Sequence, residues 1–411
     1  MTVSEQHPTT TVSWSLLLRK LIVVGIFVGF GEYSAVAALA DVAKHFGHVT
    51  STSSVASVVG LSGSVLGVGL AIFRLSSLGA LPLAALADRW GRRRTLHLTV
   101  VVGLVCTVVA AMSPGYWYFV LCFAIGRPFL SAALSLLQVI AVEVSSAAQR
   151  IRALAFVAAG SGAGAGLAVV LHGVVRGGEN FRWLFALALV PLLLTPRAVR
   201  GLPQQPVTGE MRLGRVPSGH RRTLVLVAVL TGLVAAISGT ANGFIFVYGE
   251  SLLHIRPSHL VVIVAISGGT GILGLFVSHF IAKHWGRRLT VVVAIAGTAI
   301  AASLAYSGGY DRFVVGYLCG VAMGGLLTPA LNALGVELFP QAVRATAAGW
   351  IVVATVVGAT AGLVLFGSLV DGNHAVASVA FRHAALWTFL PVAPLSLVVF
   401  LLPESSALEL D

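Results

Sequence analysis

The sequence consists of long apolar runs separated by short polar breaks. Runs of roughly 20 mostly apolar residues recur from one end of the chain to the other, and a membrane-spanning helix needs about that length. The breaks predict twelve spans: 17–40, 56–86, 95–113, 116–142, 153–175, 182–197, 223–248, 259–283, 289–308, 313–337, 345–370 and 384–402. A transmembrane β-barrel would show short alternating segments instead. We therefore predict an all-α membrane protein with twelve transmembrane helices.

The first apolar run has a second interpretation. The segment "RKLIVVGIFVGF" followed by "AVAALAD" imitates the basic region, apolar region and small-residue cleavage site of a secretory signal. The cut would fall after position 40, beyond the usual length of such signals, and Glu32 interrupts the approach to it. A first transmembrane helix is the better interpretation.

Composition supports a membrane protein and excludes several other classes. Hydrophobic residues make up 57% of the chain and charged residues 10%, whereas a soluble chain has about 45–50% and about 25%. The net charge of +12 would suit nucleic acid, but the charges lie in short connections between apolar runs, so we expect no nucleic-acid partner. Metalloprotease, nucleophile-elbow and phosphate-loop motifs are absent from the sequence. We therefore predict neither an enzyme nor a cofactor or metal site.

The distribution of Lys and Arg predicts the orientation. Placing the N-terminus in the cytoplasm puts eighteen of these residues on the cytoplasmic side and six on the other, with two inside spans. Cytoplasmic loops carry the excess of positive charge in membrane proteins. We expect both termini in the cytoplasm and a multi-pass protein of the cell membrane.

The two halves of the sequence repeat each other. The segment "WGRRRT" starts at 90 and "WGRRLT" at 285, a shift of 195. The pair Glu143 and Arg150 returns as Glu337 and Arg344, each shifted by 194. Parallel repeats of this kind are typical of secondary transporters.

The repeat predicts two six-helix bundles joined by a linker. The first bundle covers 1–196 and the second 223–411. The linker, 197–222, carries six Arg against one Glu, together with prolines and glycines, as a flexible cytoplasmic connection would.

Several motifs resemble the major facilitator superfamily. "ALADRWGRRR" is similar to the signature of its loop after helix two, although Ala84 replaces the leading Gly. "GRPFLSAALS" resembles the helix-four motif around one Arg, without its Gln-Gly step. "ELFPQAVRATAAG" and the ending "LPES" are similar to motifs of its sugar-porter and metabolite:proton-symporter branches. The Gly-Pro motif of drug antiporters is replaced by "GSGAGAG", and the "PES"-type signal after helix six is only "LPQQP".

The first cytoplasmic loop predicts a latch. One acid among several guanidinium groups can exchange partners between two arrangements of neighbouring helix ends, and the resemblance implies that such a latch closes the cytoplasmic face. The residues assigned to this gate are Asp88, Arg89, Gly91, Arg92, Arg93, Glu143, Arg150, Arg152, Glu337 and Arg344. The alternative is that the arginines only fix topology, but topology needs no acid. The latch hypothesis therefore depends on Asp88.

Three charged residues lie within spans of the first half: Glu32, Arg74 and Arg127. Each costs about 2.5–3.5 kcal/mol in the membrane, so each needs a partner or a water-filled cavity. A carboxyl group whose proton affinity depends on a nearby Arg can carry a proton through a transport cycle. We predict proton coupling through Glu32, tuned by Arg127. The alternative is a static ion pair.

The remaining polar residues predict the substrate cavity. Two arginines against one glutamate leave a net positive charge, which suits an anion such as a carboxylate, although Arg74 also fits a helix–helix contact. Asn242, Tyr248 and Asn332 are candidates for substrate contact, with interhelical hydrogen bonding as the alternative role. Glycines at four-residue spacing predict close helix packing.

The function predicted from the sequence is secondary transport by alternating access, driven by the proton gradient. Uptake of a small, anionic metabolite by symport is the first hypothesis, and efflux of a drug or metabolite by proton antiport is the second. A membrane sensor or scaffold without transport activity is the third. The expected partners are a small solute, protons and the lipid bilayer, with the chain as a monomer.

Overall fold

The computed structural model describes residues 14–47, 54–146, 149–175, 180–202, 218–339, 341–372 and 376–402. Twelve helices in these ranges are long and apolar enough to cross a membrane, which confirms the predicted number. The first six are α1 (Leu16–Ala37), α2 (Gly63–Ala87), α3 (Arg92–Ala110), α4 (Tyr116–Glu143), α5 (Arg152–Val174) and α6 (Phe181–Val199). The second six are α7 (Gly219–Leu252), α8 (Pro257–His284), α9 (Arg287–Ala305), α10 (Tyr310–Leu331), α11 (Thr346–Asp371) and α12 (Ala377–Leu401). Much of the predicted linker, 203–217, lies outside the described residues.

The start of α2 differs from the predicted span. A short helix, Ser54–Val59, precedes it, and α2 begins only at Gly63. Gly60 has a φ of 99°, which no helix accommodates. Ser62 is then extended and caps the new helix by accepting a hydrogen bond from the N–H of Val65. Gly60 and the Ser62 cap therefore interrupt the predicted span 56–86 near its start.

The start of α12 also differs. The sequence placed it at 384, after the polar residues Arg382 and His383, but the helix begins at Ala377. Both side chains are exposed. The first turns of α12 therefore contain polar residues, which the sequence analysis treated as the boundary before the helix.

The repeat is visible in the backbone. Gly91 separates α2 from α3 with a φ of 86°, and Gly286 separates α8 from α9 with a φ of 84°. These glycines belong to the two copies of the "WGRR" segment. Helix packing also repeats, since α1 packs along α5 and α3 along α4, while α7 packs along α11 and α9 along α10.

Glycines allow the closest helix pairs to touch through their backbones. A Cβ on Gly164 of α5 would lie 2.1 Å from the backbone oxygen of Ile26 on α1. A Cβ on Gly358 of α11 would lie 2.1 Å from the backbone oxygen of Gly232 on α7. The segment "GSGAGAG" therefore packs helices, as its small residues indicate.

The two halves meet mainly at one face of the bundle. We refer to the face where α1 begins as the terminal face, and to the opposite face, where α2 begins and α11 ends, as the distal face. The broadest contacts between the halves join α2 to α11 and α5 to α8. Gly63 packs against Val370, and Gly173 packs against Pro257, both at the distal face. The halves are therefore closed against each other at that face.

Candidate transport site

A narrow cavity at the centre of the bundle is lined by all three charged residues that the sequence analysis places within spans. Its volume of about 30 Å³ gives room for about one water molecule. Helices of both halves line it, through Glu32, Tyr33, Val36, Leu70, Phe73, Arg74, Arg127, Gly239, Asn242, Gly243 and Leu363. Four residues predicted from the sequence, Glu32, Arg74, Arg127 and Asn242, therefore share one cavity.

Glu32 and Arg127 are neighbours within the first half. Nη1 of Arg127 donates a hydrogen bond to the backbone oxygen of Glu32 at 3.1 Å. Nε of Arg127 lies 3.6 Å from Oε1 of Glu32, at the distance of an ion pair. Glu32 is only 8% exposed. The pair is thus asymmetric, because the guanidinium bonds the backbone and leaves the carboxylate with a looser contact.

Ser131 completes this group. Its hydroxyl donates a hydrogen bond to Oε1 of Glu32 at 2.8 Å. Ser131 lies four residues after Arg127 on α4, so both side chains project from the same face of that helix. Sequence reasoning missed Ser131, although this spacing was a signal for it.

Arg74 adds a second positive charge to the cavity. Among the described residues, its guanidinium has no hydrogen bond or ion pair, while Glu32 is already engaged by Arg127 and Ser131. Asn242 of the second half donates its amide to the backbone oxygen of Ser238 at 2.8 Å. Its Oδ1 has no hydrogen-bond partner in the described part of the chain. The cavity thus contains a guanidinium without a direct hydrogen bond to any described residue, although the charge of Glu32 acts on it, and an amide oxygen without a donor among those residues.

A larger cavity adjoins the narrow one. Its volume is about 650 Å³, within the usual range for sites that bind small molecules. Tyr33 and Asn242 line both cavities. The remaining lining is mostly apolar or small, with a few hydroxyl groups such as those of Ser267, Thr298 and Tyr317. The larger cavity therefore has room for an apolar body, and it lies beside the charged residues of the narrow cavity.

Tyr248 lies outside both cavities. Its side chain is fully buried, and its hydroxyl donates a hydrogen bond to the backbone oxygen of Tyr306 at 3.2 Å. Its ring packs in an aromatic cluster with Tyr306, Phe313 and Phe381. This placement contradicts the cavity role predicted for Tyr248 and fits the alternative of interhelical hydrogen bonding. The side chain of Asn332 lies outside the described residues.

At the terminal face, two predicted gate residues meet. Arg92 at the start of α3 forms an ion pair with Glu143 at the end of α4. Both belong to the first half, so this pair does not join the halves. Gly91 supplies the turn before it, while Arg152 lies over the ring of Phe156 at 5.6 Å.

The remaining residues of the predicted latch are only partly described by the structure. Arg89 and Arg150 are exposed and Arg93 is half-buried. The side chains of Asp88, Glu337 and Arg344 lie outside the described residues. A latch between the halves at this face stays a prediction.

Sequence reasoning also missed a polar cluster near the distal face. Nε2 of His172 on α5 lies 3.4 Å from Oε1 of Glu250 on α7 and 3.9 Å from Oδ2 of Asp41. His172 is 2% exposed. The cluster joins both halves, and no sequence spacing connects its three members.

Comparisons with known proteins agree with this architecture. The chain is 25% identical over 370 residues to the gentisate transporter of Corynebacterium glutamicum, covering 84% of this chain and 82% of that protein. It is 24% identical over 358 residues to a putative metabolite transport protein of Haemophilus influenzae, covering 81% and 85%.

Solved structures show the same fold. The D-xylose-proton symporter matches with a TM-score of 0.77 and 17% identity, over 96% of this chain and 99% of that chain. A bacterial homolog of the human lysosomal transporter Spinster matches with a TM-score of 0.74 and 14% identity, over 94% and 96%. The sequence model of the Major Facilitator Superfamily matches residues 21–363. The chain therefore belongs to the Major Facilitator Superfamily, as its motifs indicate, and is a multi-pass membrane transporter rather than an enzyme.

Proposed function

We propose that the protein couples the uptake of a small carboxylate to the entry of protons. The observation that carries this proposal is the Arg74 guanidinium, which has no hydrogen-bond or ion-pair partner in the described residues and shares a central cavity with the Glu32–Arg127 pair. The half-buried guanidinium of Arg74 faces this cavity without a direct hydrogen bond to any described residue, so the cavity favours an anionic substrate. Charge-assisted hydrogen bonds from two guanidinium groups would hold its carboxylate.

The geometry of Glu32 provides a route to coupling. While Glu32 is ionised, it attracts Arg127 and competes with a substrate anion for that guanidinium. A proton on Glu32 removes the competing charge, so Arg127 becomes available to the substrate together with Arg74. Proton and anion then favour each other's binding, as symport requires.

The neighbouring cavity and the relatives support the substrate class. The 650 Å³ space with its mostly apolar lining accommodates an organic body larger than acetate. The relative from Corynebacterium glutamicum is named for gentisate, itself a carboxylate. One structural neighbour is named as a proton symporter.

We place the terminal face in the cytoplasm of a bacterial cell membrane, because the Lys and Arg excess lies on that side. The two halves would rock about the central cavity and open it to each side in turn. No cofactor enters this scheme, and the proton gradient is the driving force.

Uptake into proteoliposomes tests the proposal. Purified protein would be reconstituted with an acidic exterior and offered radiolabelled aromatic carboxylates, aliphatic carboxylates, sugars and nucleosides. We expect accumulation of a carboxylate that a protonophore abolishes, with no accumulation of its uncharged amide. Accumulation of sugars or nucleosides alone would contradict the anion assignment. Carboxylate export driven by the same gradient would instead establish antiport.

A further inference from the structure

Asp371, the last residue of α11, bonds across the two halves to the start of α2. The backbone N–H of Gly63 donates to its Oδ1 at 2.7 Å, and the backbone N–H of Ser64 donates to its Oδ2 at 2.8 Å. The hydroxyl of Ser64 also donates to Oδ2, at 2.5 Å. One carboxylate of the second half thus holds three donors of the first half.

The start of α2 attracts negative charge. The first N–H groups of a helix have no partner within the helix, and the helix dipole makes this end positive. The local cap is weak, since the Ser62 hydroxyl oxygen accepts its hydrogen bond from the N–H of Val65 at 3.4 Å. Asp371 therefore supplies the charge and the acceptors that α2 does not obtain from its own half.

Glycines surround this contact and bring the two helices together. A Cβ on Gly67 would lie 2.5 Å from the backbone oxygen of Leu363, and a Cβ on Gly367 would lie 2.4 Å from the backbone oxygen of Gly63. At this spacing no water fits between the backbones. Because Gly63 and Asp371 belong to different halves, opening of the distal face between α2 and α11 breaks all three hydrogen bonds.

We infer that Asp371 is a gating residue, whose ionised carboxylate holds the distal face closed and releases the start of α2 when that face opens. This inference rests on the proposed alternating access. In the open state, water would bind both the freed N–H groups and the carboxylate. The bonds of Asp371 exist only in the closed state, so they shift the balance between the two states toward closure.

Asp371→Asn tests the role of the charge with little change of shape. An asparagine keeps one acceptor oxygen, but its NH₂ group would face the N–H donors of α2. Ser64→Ala is a milder second variant, because it removes only the hydroxyl bond. Asp311→Asn is the matched control, since Asp311 is an exposed acid in the first turn of α10 at the same face.

The readout is the distance between the two halves at the distal face. Spin labels would be attached at Met112→Cys and Val262→Cys, both exposed, after replacement of the native cysteines Cys106, Cys122 and Cys319 by alanine. Electron–electron double resonance of the protein in nanodiscs would then give the distance distribution. This measurement needs neither substrate nor proton gradient, so its failure is distinguishable from failure of the proposed carboxylate transport.

We expect Asp371→Asn to raise the ratio of long to short distances about tenfold, because charge-assisted hydrogen bonds are lost. Ser64→Ala should move the ratio in the same direction by less. If Asp371→Asn does not yield folded protein, the Ser64→Ala result decides. Unchanged distributions in the variants, or an equal shift in Asp311→Asn, would overturn the gating role.

Discussion

The hydroxyl of Ser131 donates a hydrogen bond of 2.8 Å to Oε1 of Glu32, on the same carboxylate that faces Arg127. This bond holds the carboxylate in the position where it faces Arg127. We expect Ser131→Ala to lower gradient-driven uptake about tenfold or more, since the lost bond to a charged group contributes about 1.5–3 kcal/mol. Uptake by the reconstituted variant and the parent protein under the same proton gradient checks this.

The control for Ser131→Ala lies one helical turn further along α4. Ser135 donates only to the backbone oxygen of Ser131, within its own helix. Ser135→Ala should leave the uptake rate unchanged. An equal loss of uptake in both variants would show that the effect does not depend on Glu32.

Arg74 should determine affinity for the carboxylate. We expect Arg74→Gln to raise KM about tenfold or more, because a charge-assisted hydrogen bond to a carboxylate contributes about 1.5–3 kcal/mol. Concentration-dependent uptake would measure this, with Arg312→Gln as the control, because Arg312 is exposed at the start of α10. An unchanged KM in Arg74→Gln would assign this residue to helix packing.

Gly164 should be essential for the packing of α1 on α5. A methyl group at this position meets the backbone oxygen of Ile26 at 2.1 Å, so Gly164→Ala should lower stability by about 1–3 kcal/mol. Gly166 has open space around it. We expect Gly166→Ala to have the same unfolding temperature as the parent protein. Thermal unfolding in detergent compares the two variants, and equal unfolding temperatures would contradict this packing.

His172 and Glu250 should be energetically coupled across the halves. Replacing either one leaves the other buried without its nearest polar partner, at a cost of about 1–3 kcal/mol. We expect the double variant His172→Phe/Glu250→Leu to be less destabilised than the sum of the single variants. His259→Phe is the control, since His259 is exposed near the start of α8. Strict additivity would show that the contact contributes nothing.

The helices and the need of intramembrane charges for a partner or water were predictable from general physics. Spans of about 20 apolar residues must be helical in lipid, and charges such as Glu32, Arg74 and Arg127 must converge on one another or on water. Glu32 and Arg127 were therefore expected to pair, and the structure places them at ion-pair distance. The proton-coupling and substrate roles assigned to them stay predictions.

The errors arose where the sequence holds no directional signal. An all-apolar helix has no polar stripe to show which face lines the cavity. The sequence therefore could not distinguish Tyr248 from Asn242. Tyr248 is buried among aromatic rings, whereas Asn242 lines both cavities. The contact of Asp371 with Gly63 depends on how the two halves pack, over a separation of 308 residues. Periodicity carries no information on that packing.

Proton coupling through Glu32 is the central claim, and Glu32→Gln tests it most directly. The amide keeps the size of the side chain and an acceptor for Ser131, but it cannot bind and release a proton. In proteoliposomes we predict that this variant still exchanges labelled for unlabelled carboxylate, yet accumulates none when an inward proton gradient is applied. Gradient-driven accumulation by Glu32→Gln equal to that of the parent protein would contradict the claim.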